Sequence, residues 1–557
     1  MSENYVDKQT DPLGTLKRPS LALIIGLIIL VSFDQITWQR QFGLQFFLLV
    51  LLILVGLVVL VIFEKRSVPW RSYVLLVPIL MGAGMTIAFR AGITTFFNIL
   101  LTFSALILLA QTLLNGQWMV YRLREVLQGL LSLVLSTLIG PVQALIQHKK
   151  STAHLSPQEG NPRWLKIRPY LVGLLIAIPL LLIFGALLAS ADLIFKERLS
   201  DLFSGLKIEN FQEFLFRTAY ILILAYILAG AYFHALTRSA EVKTISPDKP
   251  ILPAFLGQVE AFTVLVLINL LFLAFIVIQF RYFFTGEANI TLEGFTYAEY
   301  ARRGFFELVA VTLISLGLYY LLSMFTKRSG RTIKTIFSAL GILLMVQVGL
   351  MLISAFQRLS LYETAYGFTT LRTITHVFMI WLGVLLAAAT LMEVFNQFRR
   401  LSLVLFLVFF GFTLTLNLLS VDQFIARRNI AHASAGNPLD AYYLLRNLSE
   451  DGLPALFEGQ QAQDTPQDVK DSLTAVLACR LAIREKNEPE PYWAGWNLSS
   501  AKADALFEQH RESLAAYPLA LHSETFTYEQ DGQTIEETYQ FYIIEVDGEE
   551  IWCMNAD

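Results

Sequence analysis

Between two long apolar runs, residues 279–309 read QFRYFFTGEANITLEGFTYAEYARRGFFELV. The residues there whose types and spacing suit chemistry are Glu299, Arg302, Arg303 and Glu307. Glu299 with Arg303, and Arg303 with Glu307, stand four apart, so on a helix each pair shares one face and can form an ion pair. Where a helix enters a bilayer, an unpaired charge costs roughly 3 kcal/mol. One reading is therefore an ion-pair ladder that anchors the helix, with Tyr297 and Tyr300 as belt aromatics in the headgroup layer. The other is an anion site, in which Arg302 or Arg303 meets a phosphate or carboxylate through its planar fork of donors.

A second set of polar residues lies within or near the apolar runs: Arg217, Glu260, Asn269 and His376. Glu260 is the clearest isolated acid, and Arg217, near the start of the preceding run, is its expected partner. Asn269 lies on a different face from Glu260 at 3.6 residues per turn. His376 and Asn417 suit interhelical hydrogen bonds in a packed bundle. A proton or cation path is the sharper reading of Glu260. Asp192, Glu299, Glu363 and Asp422 are carboxylates that could pair for acid–base work, although nothing in their spacing requires it. Asp440, Glu450 and Asp451 read as a solvated helical face.

Catalytic signatures are absent: there is no GxxxxGK[ST], no HExxH and no GxSxG. The seven His are scattered and no CxxC occurs, so no metal site and no cofactor is expected.

The elements that must position these residues are mostly membrane helices. Of 557 residues, 55% are hydrophobic and 16% charged, against about 25% charged in soluble proteins. Continuous apolar runs recur at about 20 residues, enough to cross a hydrocarbon core of about 30 Å, and their continuity excludes a barrel. Eleven spans are expected, at 20–38, 42–63, 70–90, 94–114, 169–190, 213–236, 254–283, 304–326, 332–357, 371–394 and 401–420. The fold class is a polytopic α-helical membrane protein with a C-terminal α+β soluble domain.

Residues 121–147 are apolar enough to span but carry Arg122, Arg124, Glu125 and an internal Gly140-Pro141. If they lie along the surface, loops on the N-terminal side hold 22 Lys and Arg against 10 opposite; if they span, that bias vanishes. The positive-inside rule favours an interfacial helix. The N-terminus is then cytoplasmic, the basic loop up to residue 168 is cytoplasmic, and the tail is outside.

Charge divides the chain. Residues 1–420 hold 33 Lys+Arg and 21 Asp+Glu, whereas residues 421–557 hold 9 and 24. An acidic tail excludes nucleic-acid binding, which needs a cationic face, and suits a cationic protein or an envelope ligand. The expected organisation is a cytoplasmic tail (1–19), four membrane helices (20–120), an interfacial helix and basic loop (121–168), seven helices (169–420), a helical segment outside (421–518) and a β-meander (519–557). The meander follows from strand-like runs separated by Asp531-Gly532 and Asp547-Gly548, which suit primed turns. Cys479 and Cys553 are the only cysteines, and an outside tail permits a disulfide between them.

Several segments carry a family resemblance in order: LLASADLIF (187–195), IQFRYFFTG (278–286), TYAEYARRGFFELVAV (296–311), LYETAYGFTTLR (361–372), VDQFIARRNI (421–430) and LDAYYLLRNLSEDGLPAL (439–456). Together they resemble the bacterial membrane-protein family catalogued as domain of unknown function 4173, and its relative 4153, from the first span to about residue 506. In 187–195, Leu193 departs from the Pro expected there. The resemblance implies an integral protein of the bacterial cytoplasmic membrane and no known activity. On the chosen topology these segments share the outer face, where Asp192, Tyr297, Glu299, Tyr300, Arg302, Arg303, Glu307, Arg372 and Asp422 form one expected polar cluster. Three readings of function follow: a non-catalytic envelope sensor or scaffold in the lipid bilayer, a secondary transporter of a small or anionic solute, and an enzyme acting on a lipid-linked envelope substrate.

Overall fold

The computed structural model describes residues 16–38, 43–153, 211–240, 255–284, 305–327, 330–395, 400–486, 492–517, 519–530, 533–546 and 549–555, with isolated positions between 181 and 198 and at 397. The chain divides into two compact units. One comprises Met1–Ala83, Thr102–Lys243 and Tyr492–Gly495; the other comprises Gly84–Leu101, Thr244–Pro491 and Trp496–Asp557.

The first helices are α1 (Pro19–Thr37), α2 (Leu44–Phe63), the single turn α3 (Trp70–Tyr73), α4 (Leu76–Ala88), α5 (Gly92–Thr112), α6 (Leu123–Ala153) and α7 (Phe211–Thr237). In the first unit α1 runs antiparallel along α7: Gly26 sits against the Ala225 carbonyl, where an added Cβ would come within 2.8 Å, and Asp34 reaches Arg217. Small residues allow this close approach in lipid, where apolar burial alone does not draw helices together. The α6 helix continues through Pro141 and crosses α7 closely where Gly230 meets the Thr137 backbone. Its segment Leu123–Val142 is long and apolar enough to cross a membrane.

Eleven helical segments among the described residues meet that criterion. Ten match expected spans; the other is Leu123–Val142. The expected span 169–190 lies outside the described residues except for isolated positions from 181 onward. This is a polytopic helical membrane protein.

In the second unit the helices are α8 (Gln258–Phe284), α9 (Phe305–Phe325), α10 (Arg331–Tyr366), α11 (Thr370–Val394), α12 (Leu401–Leu419), α13 (Val421–Ser434), α14 (Ala441–Arg446), α15 (Leu453–Gln461), α16 (Gln467–Lys486) and α17 (Leu498–Ala515). At 36 residues, α10 is roughly 54 Å long at 1.5 Å per residue. It therefore outruns the expected boundary at 357 and carries Tyr362 and Glu363 on helix instead of loop. Gly367 ends it with φ at +72°, a conformation that favours glycine, and donates its N–H to the Glu363 carbonyl at 2.9 Å.

The tail ends in a three-stranded antiparallel sheet in the order β1 (Ala520–Gln530), β2 (Gln533–Val546), β3 (Glu549–Asn555), with a bulge at Tyr542/Ile543. Both Asp-Gly pairs expected at its turns lie outside the described residues. One buried core runs from Ile374, Val377, Phe412 and Leu416 on α11 and α12, through Ile425, Leu444, Leu456 and Leu477, to Ile544 and Ile551 on the sheet. Within this unit the tail is thus an extension of the bundle's own core.

Cys479 on α16 and Cys553 on β3 are fully buried and joined by a disulfide, with Cα atoms 5.2 Å apart and a sequence separation of 74. A crosslink closing a loop of that length stabilises by roughly 3–5 kcal/mol. Cys479→Ser in the full-length protein should make the sheet susceptible to limited proteolysis and lower the thermal midpoint in detergent. Reduced wild type should behave alike, and the variant should be insensitive to reductant.

Candidate functional site

Three of the resemblance-bearing segments, 361–372, 421–430 and 439–456, meet where α10, α11, α13 and α14 come together. The corner between α10 and α11 exposes backbone groups that no helix satisfies. Asn429 on α13 takes both sides of Phe368: its Oδ1 accepts the N–H at 2.7 Å and its Nδ2 donates to the C=O at 2.9 Å. Tyr443 on α14 accepts the Thr370 N–H through its hydroxyl oxygen at 2.7 Å. His432 Nε2 donates to the Thr364 carbonyl at 2.8 Å. Arg372 caps the end of α10, donating to the Gly367 carbonyl at 2.7 Å with its guanidinium 4.1 Å from the Tyr362 ring centroid. A cation at a helix C-terminus also meets the negative end of the dipole.

One turn inward, Glu363 and His376 form a buried pair, Oε2 to Nδ1 at 2.9 Å. The other ring nitrogen lies 3.3 Å from Ser360 Oγ and 3.4 Å from the Phe356 carbonyl.

A second polar cluster joins the tail to the segment Gly84–Leu101. Asp451 is buried, and its carboxylate accepts the Arg90 N–H at 2.9 and 3.0 Å and the Ala91 N–H at 2.7 Å, just ahead of α5. Asn497 donates to the Thr86 and Phe89 carbonyls, each at 3.2 Å, at the end of α4. Its Oδ1 meanwhile accepts the Ser499 N–H at 2.9 Å and so caps α17. Asn98 and Asn417 exchange reciprocal amide bonds at 2.9 and 2.7 Å.

Asp422 is buried and accepts the Ser449 N–H at 2.7 Å. Burial raises its carboxyl above the usual range; bonds from Ser449 oppose the rise, nearby Asp451 adds to it and Arg480 opposes it. The Arg480 guanidinium donates to the Leu444, Leu445 and Leu448 carbonyls at 2.8, 3.2 and 2.6 Å. Burial lowers its pKa to about 10, with Asp422 and Glu450 holding it charged. Glu450 in turn binds Arg484 and the Ser500 hydroxyl, and Arg484 also binds Asp504.

The structure redistributes the expected site residues. Arg372, His376 and Asp422 belong to the junction just described. Tyr297, Glu299, Tyr300, Arg302 and Arg303 lie outside the described residues, so the expected ladder is represented only by Glu307, exposed in the first turn of α9. Asp192 is exposed. Arg217 takes Asp34 as its partner at 2.5 Å, not Glu260, and Tyr220 donates to the same carboxylate. Glu260 sits exposed in the first turn of α8, folded back beside Gly257. It therefore marks a helix start, where the dipole favours an acid, and not a mid-membrane acid. Asn269 is buried, donating to the Leu265 carbonyl at 2.7 Å and the Leu340 carbonyl at 3.3 Å.

Asp440 is exposed, as expected, and caps α14 by accepting the Tyr443 N–H at 2.8 Å; Glu450 and Asp451 do not form a solvated face but make the bonds just given. Ser449-Glu450-Asp451 ahead of Leu453-Pro454 was the available signal, since Ser and Asp before a helix commonly cap it. Among the described residues, no group of three or more His, Cys, Asp or Glu could hold a metal ion.

Residues 21–459 match the profile of the family described as domain of unknown function (DUF4153). The chain belongs to the DUF4153 family. Of the two related families that the sequence resembles, the match is to 4153, and it ends within α15 instead of near residue 506. The family region therefore includes Asp422, Asn429, Tyr443 and Asp451, whereas Arg480, Asn497 and the sheet lie beyond it. No curated protein and no solved structure matches the chain.

Asp451→Ala would leave the N–H groups of Arg90 and Ala91 without their acceptor, a loss of about 2–3 kcal/mol. Thermal unfolding in detergent should show it, with Asp451→Asn partly restoring the midpoint. Arg480→Lys should recover only part of what Arg480→Ala loses, because one ammonium nitrogen cannot stand both where Nη2 meets the Leu444, Leu445 and Leu448 carbonyls and where Nη1 meets the Ser449 carbonyl at 3.3 Å. A lysine that fully restores the midpoint would show that charge alone matters there.

Proposed function

We propose that this protein is a non-catalytic envelope scaffold, whose membrane bundle holds its acidic C-terminal module in a fixed pose to bind a partner outside the cell. The observation that carries this reading is the grip of Asp451 on the Arg90 and Ala91 N–H groups. It is reinforced by Asn497 on the Thr86 and Phe89 carbonyls. Asp451, Asn497, Asn429, Tyr443 and Arg480 are committed to helix ends, which is what a rigid mount needs.

The outside placement rests on the surface reading of residues 121–147, under which the loops carry a positive-inside bias. The buried Cys479–Cys553 disulfide supports it, because such bonds persist in oxidising compartments. The module also presents aromatic and apolar side chains to solvent, among them Tyr442, Trp496, Leu521 and Trp552, in a segment of 9 Lys+Arg and 24 Asp+Glu. Aromatic anchors within an acidic surround suit a cationic protein partner.

A photo-crosslinking residue at Leu521 or Tyr442 in full-length protein, in intact cells, should yield an adduct with a basic protein, suppressed at high ionic strength. A membrane-impermeant reagent should label a cysteine introduced at Leu521 without permeabilisation. Labelling only after permeabilisation would place the tail inside and end this proposal.

A further inference from the structure

The seam between α10 and α11 continues inward from the Glu363–His376 pair as an open groove of about 690 Å³. Gly349, Ile353 and Phe356 line it on α10, and Ile380, Gly383 and Ala387 line it on α11. On α10 these residues share the row of three- and four-residue steps that leads on to Ser360 and Glu363; on α11 the row begins at His376. Groove and polar pair are thus two ends of one seam. Phe356 connects them: it lines the groove, and its ring centroid lies 4.5 Å from that of His376.

The glycines mark where the chain's own side chains leave the groove unfilled. Gly341 and Gly411 in the same unit are covered by the rings of Tyr319 and Trp381. By contrast, a Cβ on Gly349 would meet nothing within 4 Å, and one on Gly383 would meet only Leu352 Cδ2 at 3.8 Å. The rim residues Val346, Leu350, Ile353, Ile380 and Leu391 are exposed on apolar spans, so the medium they face is acyl chain.

At the other end, the Glu363 side chain is only 5% exposed, and its Oε1 has no hydrogen-bond donor. A buried carboxylate oxygen strongly favours acquiring an N–H or O–H partner. The order of depth matches an amphiphile. His376 lies roughly 9 Å along α11 from its start, near headgroup level, and the groove extends from there toward Thr390 and Leu391.

We propose that this seam binds one membrane lipid, with an acyl chain in the groove and a hydroxyl or ammonium donor of its polar part on Glu363. A choline headgroup has no N–H or O–H and should not satisfy the site.

The test uses full-length protein reconstituted into nanodiscs of phosphatidylethanolamine, phosphatidylglycerol or phosphatidylcholine, each doped with the same lipid carrying a diazirine in its acyl chain. Retained lipid is counted by native mass spectrometry after detergent transfer, and crosslinks are mapped by peptide sequencing. Wild type should retain one ethanolamine or glycerol lipid per chain, the tighter of the two identifying the donor as ammonium or hydroxyl. Crosslinks should fall on α10 and α11, and choline lipid should be retained roughly tenfold less. Gly383→Leu, which fills the groove, should abolish retention, and so should Gly349→Leu. Glu363→Gln should lower retention of the donor lipids while leaving choline lipid unchanged. A monodisperse elution profile and an unchanged thermal midpoint show that each variant is folded.

Equal retention of all three lipids, or retention unaffected by either leucine, would overturn the proposal. So would a wild-type dimer that either leucine dissociates, since a second copy would then be the occupant.

Discussion

Backbone groups at helix ends cannot go unpaired when buried, and the outer part of the second unit is organised around that constraint. The end of α4, the start of α5, the corner between α10 and α11 and the end of α14 all leave N–H or C=O groups facing protein. Each is satisfied by a side chain from elsewhere in the sequence: Asn497 on Thr86 and Phe89, Asp451 on Arg90 and Ala91, Asn429 on Phe368, and Arg480 on Leu444, Leu445 and Leu448. Most of these partners are far apart in sequence, so they act as ties between segments and not as local caps. Side-chain capping is ordinarily a device within one helix; here it joins the tail to the bundle of its own unit.

The continuous core explains why such ties are needed. Apolar side chains run without interruption from Phe412 and Leu416 on a membrane helix to Ile551 on the last strand. Apolar burial is non-directional, and by itself it would let the tail slide over the helix ends. The directional bonds of Asp451, Asn429 and Tyr443 set one register. Those three residues lie within the matched family region, and the sheet that follows is attached through α16 and the Cys479–Cys553 disulfide.

Polar residues in the bundle divide by whether the chain itself supplies a partner. Arg217 is satisfied by Asp34 with Tyr220 on the same carboxylate, and Asn417 by Asn98. Glu363 is satisfied on one oxygen only. It lies beyond Phe356 on the seam that holds the groove, whose glycines no ring of the chain covers, and this separates it from the ties that serve the fold.

The sequence alone determined the class of the protein. Apolar runs of membrane length are a one-dimensional property, and so are the charge division at residue 420, the alternating runs of the last forty residues and the family-like segments. Periodicity and composition report these without knowledge of neighbours. Arg372, His376 and Asp422 were also legible, because charge beside an apolar run costs free energy and stands out. Partner choice was not legible. Consecutive runs make Arg217 a partner that Glu260 could take, yet the antiparallel packing of α1 on α7 brings Asp34 to it. Asp451 and Glu450 read as solvated because a carboxylate in a polar stretch carries no mark of burial. The groove was invisible for the same reason: Gly349 and Gly383 look like any small residues of a membrane helix. Only the approach of α11 to α10 decides that the space beside them is left open. Which groups are buried, and which of those find a partner, are properties of pairs of segments, and tertiary packing alone fixes the pairs.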